Sequence, residues 1–172
     1  HMELLRQSLY DINKLPAEAI EEAITKIRTI ETGSLVQRNE TFTDYLQNGI
    51  PVEDKVNGEY RTVNARLIDY EYPEKNDFRI INQWTVEQFA TKRCDLIVMV
   101  NGLPLVVMEL KSPSNEGVGE DEAYNQIKAY LKQIPSLFVY NAFNVISDML
   151  TTRAGTLTAK QERYMEWKTK DG

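Results

Sequence analysis

Asp95, Glu109 and Lys111 are the residues of this chain whose types and spacing could do chemistry. Asp95 opens the apolar run 95–100, and Glu109-Leu110-Lys111 closes the run 105–110. Between the runs, Asn101-Gly102 offers the positive φ angles of a tight turn, so the two runs read as a hairpin whose ends return side by side. Residues two apart on a strand share a face, which points Glu109 and Lys111 one way and Leu110 the other. A charged pair ending an apolar strand is costly if buried without a role. Two carboxylates and a lysine within reach suit metal-assisted phosphodiester hydrolysis. Asp95 and Glu109 would hold Mg²⁺ through oxygen, water and the scissile phosphate completing the shell. The metal would polarise the phosphate, activate the attacking water and neutralise charge on the leaving oxygen. Lys111 would orient or deprotonate the water, or stabilise the phosphate at the transition state. The competing explanation is a surface ion pair, Glu109 with Lys111, and Asp95 capping a turn; Asp…Glu-x-Lys alone is a short and common pattern.

Register is the difficulty. A strict two-residue turn sets Asp95 opposite Met108, on the wrong face from Glu109. A three-residue loop, a bulge or a terminal kink is therefore expected. In the segment that follows, Gln126 and Tyr130 stand at i, i+4 and share one face of a predicted helix, 120–134. Taken alone they read as an exposed polar residue and a tyrosine packing on the sheet.

The rest of the inventory narrows the chemistry. The 172 residues, one domain's worth, include one cysteine and one histidine, and the histidine is His1, followed by Met2. That start resembles the remnant of a removed tag, so the native segment is expected to begin at Glu3 without histidine. Ser-His-Asp and Cys-His catalysis, and zinc held by Cys and His, are then excluded. Cys94 has no internal disulfide partner and fits a reducing compartment. Twenty basic against 26 acidic residues give a net charge of −6. This argues against gripping nucleic acid by bulk charge, but not against a site that cuts it. No signal-peptide pattern and no apolar run of ~20 residues is present, so a soluble cytoplasmic protein is expected, with no membrane partner.

The positioning elements read as a helical first third, then strands. Pro16 precedes a stripe formed by Ala19, Ile20, Ala23, Ile24 and Ile27. A second helix is predicted over 35–47 and a hairpin over 52–70 about Asn57-Gly58. A strand is predicted over 78–84, then the hairpin of the candidate site with strands buried on both faces, the 120–134 helix and a buried strand over 137–147. The tail is turn-rich, and its Tyr164, Met165 and Trp167 fit docking on a neighbouring domain or packing on their own core. The whole reads as one α/β domain with a mixed sheet.

Lys92-Arg93-Cys94-Asp95-Leu96, Asn101-Gly102-Leu103-Pro104-Leu105, Met108-Glu109-Leu110-Lys111-Ser112-Pro113 and Gln126-Ile127-Lys128-Ala129-Tyr130 resemble the N-terminal nuclease domain of the R subunit of type I restriction enzymes. Leu67-Ile68-Asp69-Tyr70, Asn76-Asp77-Phe78 and Asn82-Gln83-Trp84 continue the likeness upstream. Pro135 to Asn141, Ile146-Ser147-Asp148 and Ala154 to Ala159 continue it downstream. The resemblance implies a PD-(D/E)XK fold, a mixed sheet flanked by helices. It implies Asp95 and Glu109 as ligands of Mg²⁺, Lys111 as the catalytic lysine, and Gln126 and Tyr130 in DNA contact or in coupling nuclease to motor. It implies double-stranded DNA as substrate, ATP-driven motor domains further along the same chain, and modification (M) and specificity (S) subunits as partners in a prokaryotic cytoplasm. No Gly-x-x-x-x-Gly-Lys-[Ser/Thr] loop is present, so ATP is expected to bind elsewhere than these residues.

Two departures stand out. Cys94 replaces the proline that commonly precedes the first aspartate, with a small geometric effect expected. Many enzymes of this fold also draw an acid from a helix before the sheet, and in this family that helix lies upstream of Glu3. Glu18, Glu21, Glu22 and Glu40 match no motif and read as solvated helix faces. The segment alone is accordingly expected to bind metal weakly and to cut DNA poorly. A non-cleaving docking module of the same fold is the alternative, and another nuclease of that fold, for repair or methyl-directed cleavage, is a third.

Overall fold

A computed structural model describes residues 1–112, 118–148 and 150–168. The chain forms two compact units, residues 1–79 with 99–103, and residues 80–98 with 104–172.

The first unit is built on three helices and a hairpin. Helix α1 (Met2–Asn13) buries Leu5 and Leu9, and its C-cap Lys14 turns left-handed. Helix α2 (Ala17–Arg28) follows Pro16 and buries the stripe Ala19, Ile20, Ala23, Ile24 and Ile27. Helix α3 (Leu35–Asn48) starts at a capping box in which Ser34 and Gln37 satisfy each other's backbone N–H. Strands β1 (Ile50–Val56) and β2 (Glu59–Ala65) pair antiparallel about Asn57 and Gly58, both at positive φ. The predicted hairpin ran on to residue 70, but side chains take over the backbone beyond Ala65. Asp69 accepts from the N–H groups of Glu71 and Tyr72, and Asn76 bonds both the N–H and the carbonyl of Asp69. These local bonds compete with a ladder and end it.

The second unit carries most of a six-stranded mixed sheet in the order β3-β4-β5-β6-β7-β8, formed by β3 (Phe78–Glu87), β4 (Thr91–Val100), β5 (Leu103–Leu110), β6 (Phe143–Ser147), β7 (Thr152–Gly155) and β8 (Met165–Glu166). Strand β6 runs parallel to β5 and antiparallel to β7. Between β5 and β6 lies helix α4 (Val118–Gln133), which buries Ala123, Ile127 and Tyr130, followed by a short helix α5 (Pro135–Phe138). The strand predicted over 137–147 therefore shortens to its second half. Leu137, Phe138 and Val139 are buried as a strand would bury them, but a short apolar run fits a helical turn equally well, and Pro135 starts one. The expectation of strands buried on both faces holds for much of β5, where Val106 and Val107 are both buried, while Val98 and Met108 stay half-buried. Val98, Val106, Met108, Phe143 and Val145 line an apolar groove together with Thr152 and Trp167, and Trp167 stays largely exposed. Tyr164, by contrast, packs into the core of this unit, edge-on to Tyr124. Among the described residues, no helix is long and apolar enough to cross a membrane.

Asn101 and Asn57 occupy equivalent tight turns at nearly the same φ, 53° and 54°. Asn57 is exposed, whereas Asn101 is fully buried and bonds the Leu67 carbonyl, the Asn76 side chain and the Asp77 N–H. Asn57→Ala should cost only the left-handed penalty of about 1–2 kcal/mol. Asn101→Ala should add about 1–3 kcal/mol for each buried group left unpaired. Urea unfolding of the two variants measures the difference, and equal losses would count against the Asn101 network.

Candidate active site

Strands β4 and β5 are joined by two residues, Asn101 and Gly102, both at positive φ. The register from that turn alone would set Val98 beside Leu105 and Asp95 beside Met108. Instead Val98 shares the groove face with Val106 and Met108. The ladder thus carries an offset of one residue between the turn and Val98, the effect of a bulge, and Asp95 comes to the same face as Glu109.

Three sequence-predicted residues meet there. The Lys111 Nζ donates to Glu109 Oε1 at 2.9 Å, and Asp95 Oδ2 accepts from the Leu110 N–H at 2.9 Å. Glu109 is 2% exposed, while the Lys111 side chain keeps 29% of its surface in solvent. Burial pushes the Glu109 carboxyl upward, and the Asp95 charge adds to the rise against the Lys111 and Tyr130 hydrogen bonds. Burial works to lower the Lys111 ammonium, but Glu109, Asp95 and Glu122 outweigh it and the net direction is up.

Tyr130 joins the same cluster from α4. The Tyr130 hydroxyl lies 3.0 Å from Glu109 Oε2 and 2.9 Å from the Arg93 carbonyl, and the half-buried Gln126 stands one helical turn before it. Tyr130 is 2% exposed, so it presents no surface for a contact with DNA.

The chain matches the family model for the N terminus of the type I restriction enzyme R protein over residues 2–163. It is 39% identical to the type I restriction enzyme HindI endonuclease subunit of Haemophilus influenzae, over 99% of this chain and 16% of that subunit. It is 34% identical to a putative type I restriction enzyme MjaIXP endonuclease subunit of Methanocaldococcus jannaschii, over 94% of this chain and 16% of that subunit. The chain belongs to the R-protein N-terminal family. It spans about one-sixth of the length of these two endonuclease subunits.

In this family member the donor set suits a hard cation. Asp95 and Glu109 offer carboxylate oxygens close enough to repel one another, beside the Lys111 ammonium, and oxygen is what a hard cation takes. Among the described residues, no three His, Cys, Asp or Glu side chains cluster as a metal site, so further ligands would have to come from the Leu110 carbonyl, water or substrate. The helical glutamates of the first unit are engaged elsewhere where partners are seen. Glu21 pairs with Arg6, and Glu22 pairs with Lys26 and accepts from the Glu53 N–H.

Several supporting groups were assigned no role from the sequence. The Lys111 N–H donates to the Ser147 carbonyl at 2.8 Å, tying the lysine's backbone to β6. Just beyond, Asp148 Oδ1 accepts from the N–H groups of Leu150 and Thr151 and from the Thr151 hydroxyl, which holds its carboxyl below the usual range. Gly119 approaches so closely that an added Cβ would stand 3.0 Å from Asp148 Cβ and 3.6 Å from Lys111 Cβ. Glycine there lets the first turn of α4 sit against the ends of β5 and β6.

Cys94, beside Asp95, is fully buried, and its thiol is pushed up to about 12 by burial and then by the Glu109 and Asp95 charges. Iodoacetamide at pH 8 should leave it unmodified in the folded protein and alkylate it in urea, as mass spectrometry would read. Rapid alkylation under native conditions would mean that this part of β4 opens far more readily than its packing implies.

Proposed function

We propose that this domain is the Mg²⁺-dependent endonuclease module of a type I restriction R subunit, with a PD-(D/E)XK core, cutting double-stranded DNA. The observation that carries the reading is the meeting of Asp95, Glu109 and Lys111 where the middle of β4 lies beside the end of β5, in a chain whose relatives are named endonuclease subunits. Asp95 and Glu109 are the residues that would hold the ion through carboxylate oxygen. When bound, Mg²⁺ supplies Lewis-acid polarisation of the phosphate and a lowered pKa for the attacking water. Lys111 uses one of its three N–H donors on Glu109 and keeps two for a phosphate oxygen or the attacking water. Its half-exposed position leaves that side of the cluster open to a substrate. The carboxylates' repulsion of a polyanion is balanced by the ion and by Lys111, and the wider grip on DNA falls to other parts of the subunit. The motor domains, where ATP acts, and the M and S subunits belong to the same proposal.

The test uses the full-length subunit assembled in its restriction complex. Asp95→Ala and Glu109→Ala should reduce DNA cleavage to background, and Lys111→Ala should reduce it by about 10²–10³-fold, the usual cost of removing a donor that stabilises transition-state charge. ATP hydrolysis should persist in all three variants. Cleavage at the wild-type rate in these variants would refute the assignment and favour a domain that only docks the motor.

A further inference from the structure

Tyr130 is a polar residue with an unusual set of neighbours for a buried side chain. Its hydroxyl touches the two strands that bear the site's carboxylates at once: β5 through Glu109 Oε2, and β4 through the carbonyl of Arg93, two residues before Asp95. Lys111 bonds the other oxygen of the same carboxylate. Glu109 is thus held at Oε1 from the solvent side and at Oε2 from the helix side. Two bonds on two oxygens fix both the position and the plane of a carboxylate that one bond would leave free to rotate.

The hydroxyl has one proton to give and two acceptors within reach. An ionised carboxylate is a stronger acceptor than a peptide carbonyl, so the proton is directed to Glu109 Oε2.

We infer that Tyr130 is a positioning residue: its hydroxyl sets the Glu109 carboxylate against Asp95 so that the two can share one divalent cation. This rests on the nuclease reading and assigns Tyr130 a task within the cleavage site, where a DNA contact or a motor link had been expected. Groups bonded to a metal ligand in this way commonly change metal affinity or activity by about 10–100-fold when removed.

The test compares the full-length subunit carrying Tyr130→Phe with Glu109→Ala, Asp95→Ala and wild type. Mn²⁺ binding without ATP is followed by the electron paramagnetic resonance signal of the free ion. DNA cleavage against Mn²⁺ concentration and ATP hydrolysis are measured in the assembled complex. Tyr130→Phe keeps the ring and its packing, so a purely structural role would leave Mn²⁺ affinity intact. The expected result is binding about 10–100-fold weaker at the site that the two alanine variants abolish, a matching rise in the Mn²⁺ needed for half-maximal cleavage, and unchanged ATP hydrolysis. Tyr130→Met also lacks the hydroxyl, should move affinity in the same direction, and carries the test if Tyr130→Phe does not fold. Wild-type Mn²⁺ affinity in Tyr130→Phe, with Glu109→Ala defective, overturns the positioning role and leaves the nuclease reading standing. A joint loss of cleavage and ATP hydrolysis at unchanged Mn²⁺ affinity also overturns it, in favour of coupling. If Asp95→Ala and Glu109→Ala themselves bind and cleave as wild type does, the nuclease reading falls and this inference falls with it.

Discussion

Glu109 is a carboxylate with almost no access to water at the end of an apolar strand, and its neighbours follow from the need to keep it there. Removing a charge from water costs several kcal/mol unless opposite charge and hydrogen bonds make up the loss. Lys111 and Tyr130 each supply one bond, while Asp95 on the adjoining strand works in the opposite direction. Two carboxylates against one ammonium leave the cluster negative, with Glu122 adding to the same sign around Lys111. Bringing Asp95 in satisfies the Leu110 N–H but adds repulsion at Glu109. A divalent cation turns that repulsion into joint coordination, which is why the imbalance supports the proposed metal chemistry.

Holding such a cluster requires three elements beyond the hairpin that carries it. Strand β6 accepts from the Lys111 N–H, the Asp148 turn closes the end of β6, and α4 brings Tyr130 over Glu109. The apolar side chains of α4 and the sheet then work mainly as a clamp. Ala123 and Ile127 precede Tyr130 on the buried face, and Ile97 and Val107 lie deep in β4 and β5. Their burial makes any movement of the helix against the strands costly, so the hydroxyl contact inherits the stiffness of the core.

The residues that meet at the site could be picked out from their order in the chain, and so could the elements that carry them. The alternating faces of a strand put Glu109 with Lys111, Asn-Gly marked both turns, and the stripe on α2 emerged as read. What escaped was information that residue type does not encode. The one-residue offset between β4 and β5 has no compositional sign, although the demand that two carboxylates converge implied something of the kind. The run Leu137-Phe138-Val139 is apolar enough for either a strand or a helical turn, and only its neighbours decide. Tyr130 was readable as a tyrosine packed on the sheet, which it is; the role of its hydroxyl depended on which atoms lay beneath it.

The path of α4 explains why the pair at 126 and 130 must follow the carboxylates at this distance. Gly119 rests against Lys111 and Asp148 at the ends of β5 and β6, Tyr130 reaches Glu109 and Arg93, and the Gln133 carbonyl accepts from the Phe89 N–H in the turn between β3 and β4. The helix therefore crosses the strand ends obliquely, from β6 toward β3. Three inter-strand spacings of roughly 4.8 Å amount to about 14 Å. The stretch from 119 to 133 is about 21 Å long at a rise of 1.5 Å per residue, enough for such a crossing. On that path Tyr130 arrives where β4 and β5 lie side by side beneath it. One residue more or less before it would turn its side chain by about 100° and carry the hydroxyl off both strands. The count from Gly119 to Tyr130 is fixed, because Gly119 is held at one end and the hydroxyl has to land on Glu109 at the other.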